Sequence, residues 1–377
     1  MAVTNDMVTD QRVHRSATTL ADAGWQVTVV GRRMPRSGLP RHASPESGRP
    51  YAVRRFRLLF NRKALFYAEY NARLWLYLLF CKADLVYAND TDTLPACMLA
   101  AKLRRRRLFF DAHEMFPEVP ELQHRPRVKR VWQRIEDCLF PHLKASCTVC
   151  QSIADAYAGR YGIKMAVVRN LPLRAAAPKP EQLPDGLLPA CPGNVKHTLL
   201  YQGAVNLGRG LEIVIDALRW LPDCRLVVAG VGDVLDNVQK RAVKSGHGDR
   251  VVFLGRVKPA YLHRLTPTAS LGLCLLDDLG LNYRYALPNR VGDFVQACVP
   301  ILATDFPELH RVVAHYGIGK LVDPSCNEPQ QLAAVIAQTL AEWDAMPHDE
   351  RTSLFERAAR ELCWENERQR LLDALGV

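Results

Sequence analysis

Between Leu287 and Asp305 the chain reads Leu-Pro-Asn-Arg-Val-Gly-Asp-Phe-Val-Gln-Ala-Cys-Val-Pro-Ile-Leu-Ala-Thr-Asp, and its residue types suit the binding of a phosphate. Val291, Phe294, Val295 and Cys298 fall at i, i+3, i+4 and i+7, which predicts a short helix with one apolar stripe and Pro288 at its start. Asn289, Asp293 and Gln296 then lie on the opposite face, as ligand-binding groups or merely as its solvated side. A helix that starts straight after a loop offers free N–H groups and a partial positive charge, and Arg290 adds a full charge one residue inside it. Two other places hold reactive types. His113 follows an apolar run, Leu108 to Asp111, that predicts a strand, and open α/β sheets bind ligands at strand carboxyl ends. Asp90-Thr91-Asp92 has the spacing of a divalent-metal diphosphate clamp, but Asp92 precedes Thr93-Leu94-Pro95 and an apolar helix, so it is expected to be a helix N-cap and Asp90 part of a turn.

The elements that must position these groups repeat a simple rhythm. In the first half, Ala2–Thr4, Val27–Val30, Ala83–Ala88, Leu108–Asp111, Ser146–Val149 and Ala166–Pro172 predict strands, with helices after most of them. In the second half Leu199–Gln202 ends in Gly203, Leu226–Ala229 in Gly230 and Val251–Leu254 in Gly255. Ile301–Ala303 closes the central stretch. Strand, glycine turn and helix, repeated, is the signature of a Rossmann-like parallel sheet. Between the halves, Leu173 to Asn194 carries Pro178, Pro180, Pro184, Pro189 and Pro192 and is expected to be a linker. A helix is expected from about Glu350 to Leu375, packing back across the domain junction.

The Pro-Asn-basic start, the acid one turn later, the small-Pro-apolar strand and the Thr-Asp-x-Pro-Glu ending in Glu308 resemble the donor-binding segment of retaining glycosyltransferases of family 4. The resemblance extends over nearly the whole chain and implies the GT-B fold, an α/β architecture of two Rossmann-like domains with a cleft between them and a C-terminal helix crossing back. The implied domains are an acceptor-side unit over 1–172, a linker over 173–196, a nucleotide-sugar unit over 197–355 and the returning helix over 356–377. On this basis Gly203 and Gly230 belong to phosphate turns, and Arg209, just before Gly210, meets the donor diphosphate with a fork that can hold two oxygens. The family often has a second basic residue after the first glycine, where this chain has Ala204, so Arg290 is expected to supply that contact. Arg256 is expected to border the base, Asn289 and Glu308 to line the donor site, and His113 to reach the donor sugar.

Two glutamates eight positions apart are frequent in the family. Asp293 matches the second, on the ribose, one methylene shorter, while Tyr285 stands at the first and cannot carry its charge. Asn5, Asp10, Arg12 and Asp90 are expected on the acceptor side. For Asp10 and Arg12 a helix cap with an intrahelical ion pair is the competing account.

The resemblance thus implies a retaining hexosyltransferase that moves a sugar from a UDP- or GDP-linked donor to a glycan or lipid-linked acceptor in polysaccharide or glycoconjugate synthesis, needing no metal and no cofactor. A sugar-nucleotide epimerase on the same fold, a silent scaffold and a nucleic-acid binder are the alternatives. Composition bounds these. At 377 residues, two globular units are expected. Eleven cysteines, an odd number without a framework, suit a reducing compartment. Cys147 and Cys150 fall in and beside a strand with no second ligand pair, which argues against zinc. No secretory signal opens the sequence and no apolar run approaches a membrane span, so a cytoplasmic protein is expected.

Charge is uneven. Residues 1–172 hold 28 Lys and Arg against 15 Asp and Glu, whereas residues 173–377 hold 22 against 24. No nucleic-acid fingerprint accompanies the excess, so an anionic membrane surface is the expected partner, through Arg54 to Lys63 and Arg104 to Arg107. The helix near Leu65 to Lys82, rich in aromatic residues after a basic lead-in, is either interfacial or a core helix.

Overall fold

The computed structural model describes the chain apart from residues 9, 36–38, 46–48, 175–185 and 190–194. Most of the expected linker, including all but one of its named prolines, lies outside the described residues. The chain divides into two compact units, residues 1–170 with 366–377, and residues 171–365.

The first unit contains α1 (Gln11–Asp22), β1 (Thr28–Arg33), β2 (His42–Ala43), β3 (Ala52–Arg57), α2 (Lys63–Phe80), β4 (Leu85–Asn89), α3 (Leu94–Arg104), β5 (Arg107–Ala112), α4 (Pro120–Gln123), α5 (Pro126–Leu139), β6 (Ser146–Thr148), α6 (Gln151–Tyr161) and β7 (Ala166–Val167). Its strands form the orders β1-β3-β2 and β4-β5-β6-β7, parallel except for β2 against β3. The expected strand at Ala2–Thr4 is shorter: Ala2 makes only isolated parallel bridges, to Val30 and to Ala88. It nevertheless joins the two sheets, since Ala2 N–H donates to Tyr87 O at 2.8 Å and Val3 N–H to Val30 O at 2.9 Å. Gly31 leaves room for the backbone at Asn5, because a Cβ at Gly31 would lie 2.5 Å from the Asn5 carbonyl oxygen.

Helix α2 satisfies parts of both sequence accounts. Phe66, Tyr70, Leu74 and Leu78 recur every fourth residue and are buried. The Tyr70 hydroxyl donates to Val3 O at 2.6 Å, fastening the helix to the sheet junction. Leu65, Leu76 and Phe80 are left exposed.

The second unit contains β8 (His197–Gln202), α7 (Leu211–Ala217), β9 (Cys224–Ala229), α8 (Leu235–Lys244), β10 (Val251–Phe253), α9 (Pro259–Leu265), β11 (Leu271–Cys274), α10 (Leu281–Arg284), α11 (Asn289–Gln296), β12 (Ile301–Thr304), α12 (Pro307–Tyr316), β13 (Gly319–Val322), α13 (Pro329–Ala345) and α14 (His348–Glu361). The six strands are parallel in the order β10-β9-β8-β11-β12-β13. β8, β9, β11 and β12 are almost wholly buried, as strands covered on both faces must be. Their ends bring the glycine turns to one edge.

The expected long final helix is two helices, α14 and α15 (Trp364–Leu375), and all but the first two residues of α15 belong to the first unit. Buried Glu367 holds it there by accepting from the Arg169 backbone N–H at 2.8 Å and pairing with its guanidinium at 2.7 Å. Gln296, expected on a polar face, is instead buried and donates to Ala359 O at 2.9 Å and Leu362 O at 3.0 Å, capping the end of α14. Cys298, expected in the α11 stripe, lies past its end at φ 55°.

Candidate functional site

In the second unit the groups expected to meet a diphosphate gather at the carboxyl end of β8. Gly203 leaves that strand at φ 126°, a backbone region that other residues avoid. Gly230, at the end of β9, packs against it so closely that a Cβ would lie 1.8 Å from Gly203 O. Glycine at Gly230 is therefore required by the approach of two strand ends. Gly208 and Gly210 also adopt positive φ, which lets the loop turn into α7. Two tyrosine hydroxyls fix its carbonyls: Tyr201 donates to Ala204 O, and Tyr283 to Leu207 O at 2.9 Å.

The same two rings are platforms for the two arginines. Arg209 lies over Tyr283, its guanidinium carbon 4.5 Å from the ring centre, and Arg290 over Tyr201 at 4.3 Å. Such stacking holds a planar cation without consuming its N–H donors. Arg290 is 6% exposed, and its Nη1 and the Arg209 Nε are buried without a hydrogen-bond partner among the described residues. Burial raises the pKa of the Cys274 thiol, and the charges of both guanidiniums oppose that rise. Among the described residues no ion pair involves either arginine. Two buried cations with unused donors, beside glycine turns, have the chemistry to receive an anion.

The other expected donor-side residues divide. Asp293 is half-buried and accepts from Gln202 Nε2 at 2.9 Å, and Gln202 in turn accepts from Thr266 at 3.0 Å, so its carboxylate is aimed from the end of β8. Asn289 is exposed at the first turn of α11, and Arg256 is exposed after Gly255, the turn that ends β10. Glu308 is buried in the first turn of α12 and pairs with Arg311 at 2.5 Å. Tyr285 is half-buried at the end of α10.

In the first unit, Asp90 and His113 come together at the ends of β4 and β5. Asp90 sits at φ 61° and accepts the His113 backbone N–H at 2.7 Å, while the imidazole Nδ1 lies 3.2 Å from its other oxygen. The ring Nε2 is 3.3 Å from Asn89 Oδ1 and 3.6 Å from Asp111 Oδ2. Burial alone would lower the histidine pKa, but the carboxylates of Asp90 and Asp111 outweigh it and push it up to about 9. His113 is held at a strand end, 18% exposed, as one partner of a pair with Asp90, whose own carboxyl burial pushes up to about 8.

Arg12, expected on the acceptor side, is a structural post. It is 2% exposed, its Nη2 meets Asp111 Oδ1 at 2.6 Å and its Nη1 donates to Val168 O at 2.7 Å. Neither an acceptor contact nor an intrahelical pair is available to a guanidinium fastened in the core. Asp10 caps α1 by accepting from Val13 N–H at 3.0 Å, and its other oxygen accepts from Asn5 Nδ2 at 2.7 Å, so Asn5 and Asp10 form one clip. Asp92 is not the cap of α3: Thr93 holds that position, and Asp92 accepts instead from the Thr4 hydroxyl at 2.6 Å. Burial raises its pKa to about 7. Sequence reasoning missed Tyr201 and Tyr283. Their only signal is an aromatic residue just before a glycine turn and another in the short helix α10 that precedes α11, a pattern that core packing also produces.

The sequence matches two family profiles, Glycosyltransferase Family 4 over residues 10–171 and Glycosyl transferases group 1 over residues 194–361. No curated protein matches it significantly. Among solved structures it is similar to sucrose-phosphate synthase from Thermosynechococcus elongatus, at 17% identity and a TM-score of 0.74 over 97% of this chain and 92% of that one. HepE from Anabaena in complex with UDP-glucose is similar at 16% identity and a TM-score of 0.71 over 100% and 98%. WaaG, a glycosyltransferase involved in lipopolysaccharide biosynthesis, is similar at 16% and 0.67 over 96% and 95%. These likenesses establish two Rossmann-like units of the GT-B kind, and together with profiles that account for both halves of the sequence they show that the chain belongs to glycosyltransferase family 4 and is a glycosyltransferase.

Proposed function

We propose that the chain transfers a hexose, with retention at the anomeric carbon, from a UDP- or GDP-linked sugar to a glycan or lipid-linked acceptor in the synthesis of a polysaccharide or glycoconjugate. The observation that carries this reading is the pairing of Arg209 and Arg290 on their tyrosine platforms, with buried donors left over for an anion. In the proposed reaction the bond from the anomeric carbon to the diphosphate breaks, and the two arginines take up the negative charge that develops on the leaving oxygen. The sugar passes through an oxocarbenium-like state. The acceptor oxygen bonds to the same face, and its proton goes to the departing phosphate. Asp293 is proposed for the ribose hydroxyls, Arg256 for the base, Asn289 and Glu308 for the rest of the donor site, His113 for the sugar, and Asn5, Asp10 and Asp90 for the acceptor side.

The solved HepE structures contain UDP, UDP-glucose, and UDP with glucose, which favours a uridine donor as the first to test. In a thermal-shift screen across UDP, GDP, ADP and their sugars, one diphosphate is expected to raise the melting temperature, because a ligand that binds only the native state stabilises it. No shift with any of them would overturn the donor assignment.

Metal independence is part of the proposal. Asp92 is tied to Thr4 and Asp90 to His113, so neither carboxylate is set up as a free ligand. Turnover is expected to be unchanged in EDTA. Loss of activity that added Mg²⁺ or Mn²⁺ restores would show that the arginines do not suffice.

We further propose that the protein works at the cytoplasmic face of an anionic membrane, held peripherally through the basic first unit. Among the described residues no helix is long and apolar enough to cross a membrane. The excess of Lys and Arg in residues 1–172 supports this reading. The structure narrows which of them are available: Arg55 is buried on Asp6 O and Pro40 O, Arg106 donates to Leu78 O and Cys81 O, and Arg107 to Leu375 O. The Arg104 to Arg107 cluster is therefore half structural.

A further inference from the structure

On the first unit, β3 and the C-terminal half of α2 enclose a groove of about 700 Å³ lined by Arg41, Arg54, Arg73, Leu76, Tyr77 and Phe80. Among the described residues no carboxylate lines it. The alternation of β3 sends Val53 and Arg55 to the buried face and Arg54 and Phe56 toward the helix, where Phe56 meets Tyr77 edge-on at 6.0 Å. Arg54 lies over the Tyr77 ring at 4.4 Å and has no ion pair among the described residues. Its charge is positioned by a ring, with no counter-charge among the described residues.

The surface beside the groove is apolar, and it is held rigid. Leu59 is 79% exposed, Phe60 46% and Phe80 84%. Exposed residues of this size on a mobile tip would be unremarkable, but the Glu69 carboxylate accepts the backbone N–H groups of both Leu59, at 2.9 Å, and Phe60, at 2.8 Å. Glu69 also pairs with Arg73 at 2.8 Å, so one carboxylate joins the apolar tip to the groove wall. Exposed apolar side chains fixed in place beside Arg41 and Arg54, which have no ion pair among the described residues, satisfy the two requirements of interfacial binding: insertion among acyl chains and cations at phosphate depth.

We propose that this face docks on the membrane, with Leu59, Phe60 and Phe80 inserted and the phosphate of one anionic phospholipid seated between Arg41 and Arg54. This rests on the reading of the chain as a protein of the anionic membrane surface and gives that reading a specific site. Charge complementarity selects an anionic lipid, and the apolar rim gives a reason for a lipid over a soluble anion. The loop carrying Leu59 and Phe60 and the end of α2 form the docking surface, while Arg104 and Arg105 lie outside it.

The test is sedimentation of the full chain with vesicles of phosphatidylcholine alone or mixed with phosphatidylglycerol, at low and raised salt. The wild type is expected to sediment with the mixed vesicles. The double variant Arg41→Gln/Arg54→Gln is expected to bind them roughly twenty-five-fold more weakly, about fivefold for each arginine. Leu59→Ser/Phe80→Ser is expected to lose the binding that survives raised salt, since screening leaves only the apolar part. All four positions are on the surface, and unchanged melting temperatures would show that the variants fold. Wild-type affinity in both variants, with binding lost instead on Arg104→Ser/Arg105→Ser, would overturn the groove while leaving the membrane reading intact. No sedimentation of the wild type with either vesicle would overturn both. Salt-sensitive binding to DNA or RNA that Arg41→Gln/Arg54→Gln removes, without vesicle binding, would reassign the groove to a nucleic acid.

Discussion

An Arg209→Ala enzyme is expected to lose about 2 to 4 kcal/mol of transition-state stabilisation, seen as a fall of roughly 30- to 1,000-fold in kcat/KM for the nucleotide sugar. The cause is charge that appears during the reaction. A diphosphate leaving group gains negative charge as its bond to the anomeric carbon lengthens, so a cation fixed beside it binds the transition state better than the donor. Arg209 is fixed by its stacking on Tyr283, and Tyr283 is fixed in turn by its hydroxyl on Leu207 O. Most of the loss should therefore fall on kcat. Arg209→Lys is expected to recover only part of it, because an ammonium keeps the charge but neither stacks as well nor forks across two oxygens. Tyr283→Phe removes the anchor of the loop and keeps the platform, so its effect should be smaller than that of either arginine substitution. A folded Arg209→Ala protein with unchanged kcat/KM would remove Arg209 from the site.

The contrast between Arg209 and Arg12 shows how far the sequence could be followed. Strand, glycine turn and helix are local events, set by runs of buried residues and by φ values that glycine tolerates, and they are legible one segment at a time. Hence the parallel sheet of the second unit, the turns at Gly203 and Gly230 and the helix that starts at Asn289 can be read from short stretches. Arg12 belongs to a motif that suggests a surface role, yet its partner Asp111 lies 99 positions away. Nothing in the spacing of either residue reveals that the other will be beside it. The same limit explains Asp92, whose partner is the Thr4 hydroxyl, brought next to it from 88 positions away. Gln296 is a third case. A polar residue on the outer face of a helix looks solvated until another helix end arrives with unpaired carbonyls, and α14 ends there.

Replacing Asp111 with asparagine is expected to destabilise the first unit by about 3 to 5 kcal/mol, the usual cost of breaking a buried ion pair on one side only. Asp111 is fully buried and accepts from Arg12 through Nε and Nη2 and from the Tyr87 hydroxyl at 2.7 Å. Asparagine preserves the shape and the contact with Tyr87 but leaves the Arg12 guanidinium, 2% exposed, without a counter-charge. Its effect on pH dependence separates charge from packing. Burial alone would raise the Asp111 pKa, but Arg12 and then His113 outweigh it and hold the carboxyl well below the usual carboxylate range. A carboxyl depressed in the folded state contributes stability that is fully present above its unfolded pKa, about 3.9, and is lost as pH falls toward the folded value. The gap between wild type and Asp111→Asn should thus be constant from about pH 5 to about pH 6, above which His113, whose pKa Asp111 helps to raise, begins to lose its proton. At pH 3 it should be narrower by about 1 kcal/mol, because the unfolded carboxyl is by then mostly protonated while the folded one is not. Calorimetry of the first unit's transition at pH 3 and pH 6 reads this directly. A gap of the same size at both would mean that Asp111 acts through shape and neutral hydrogen bonds, and that the Arg12 pair contributes little to the fold.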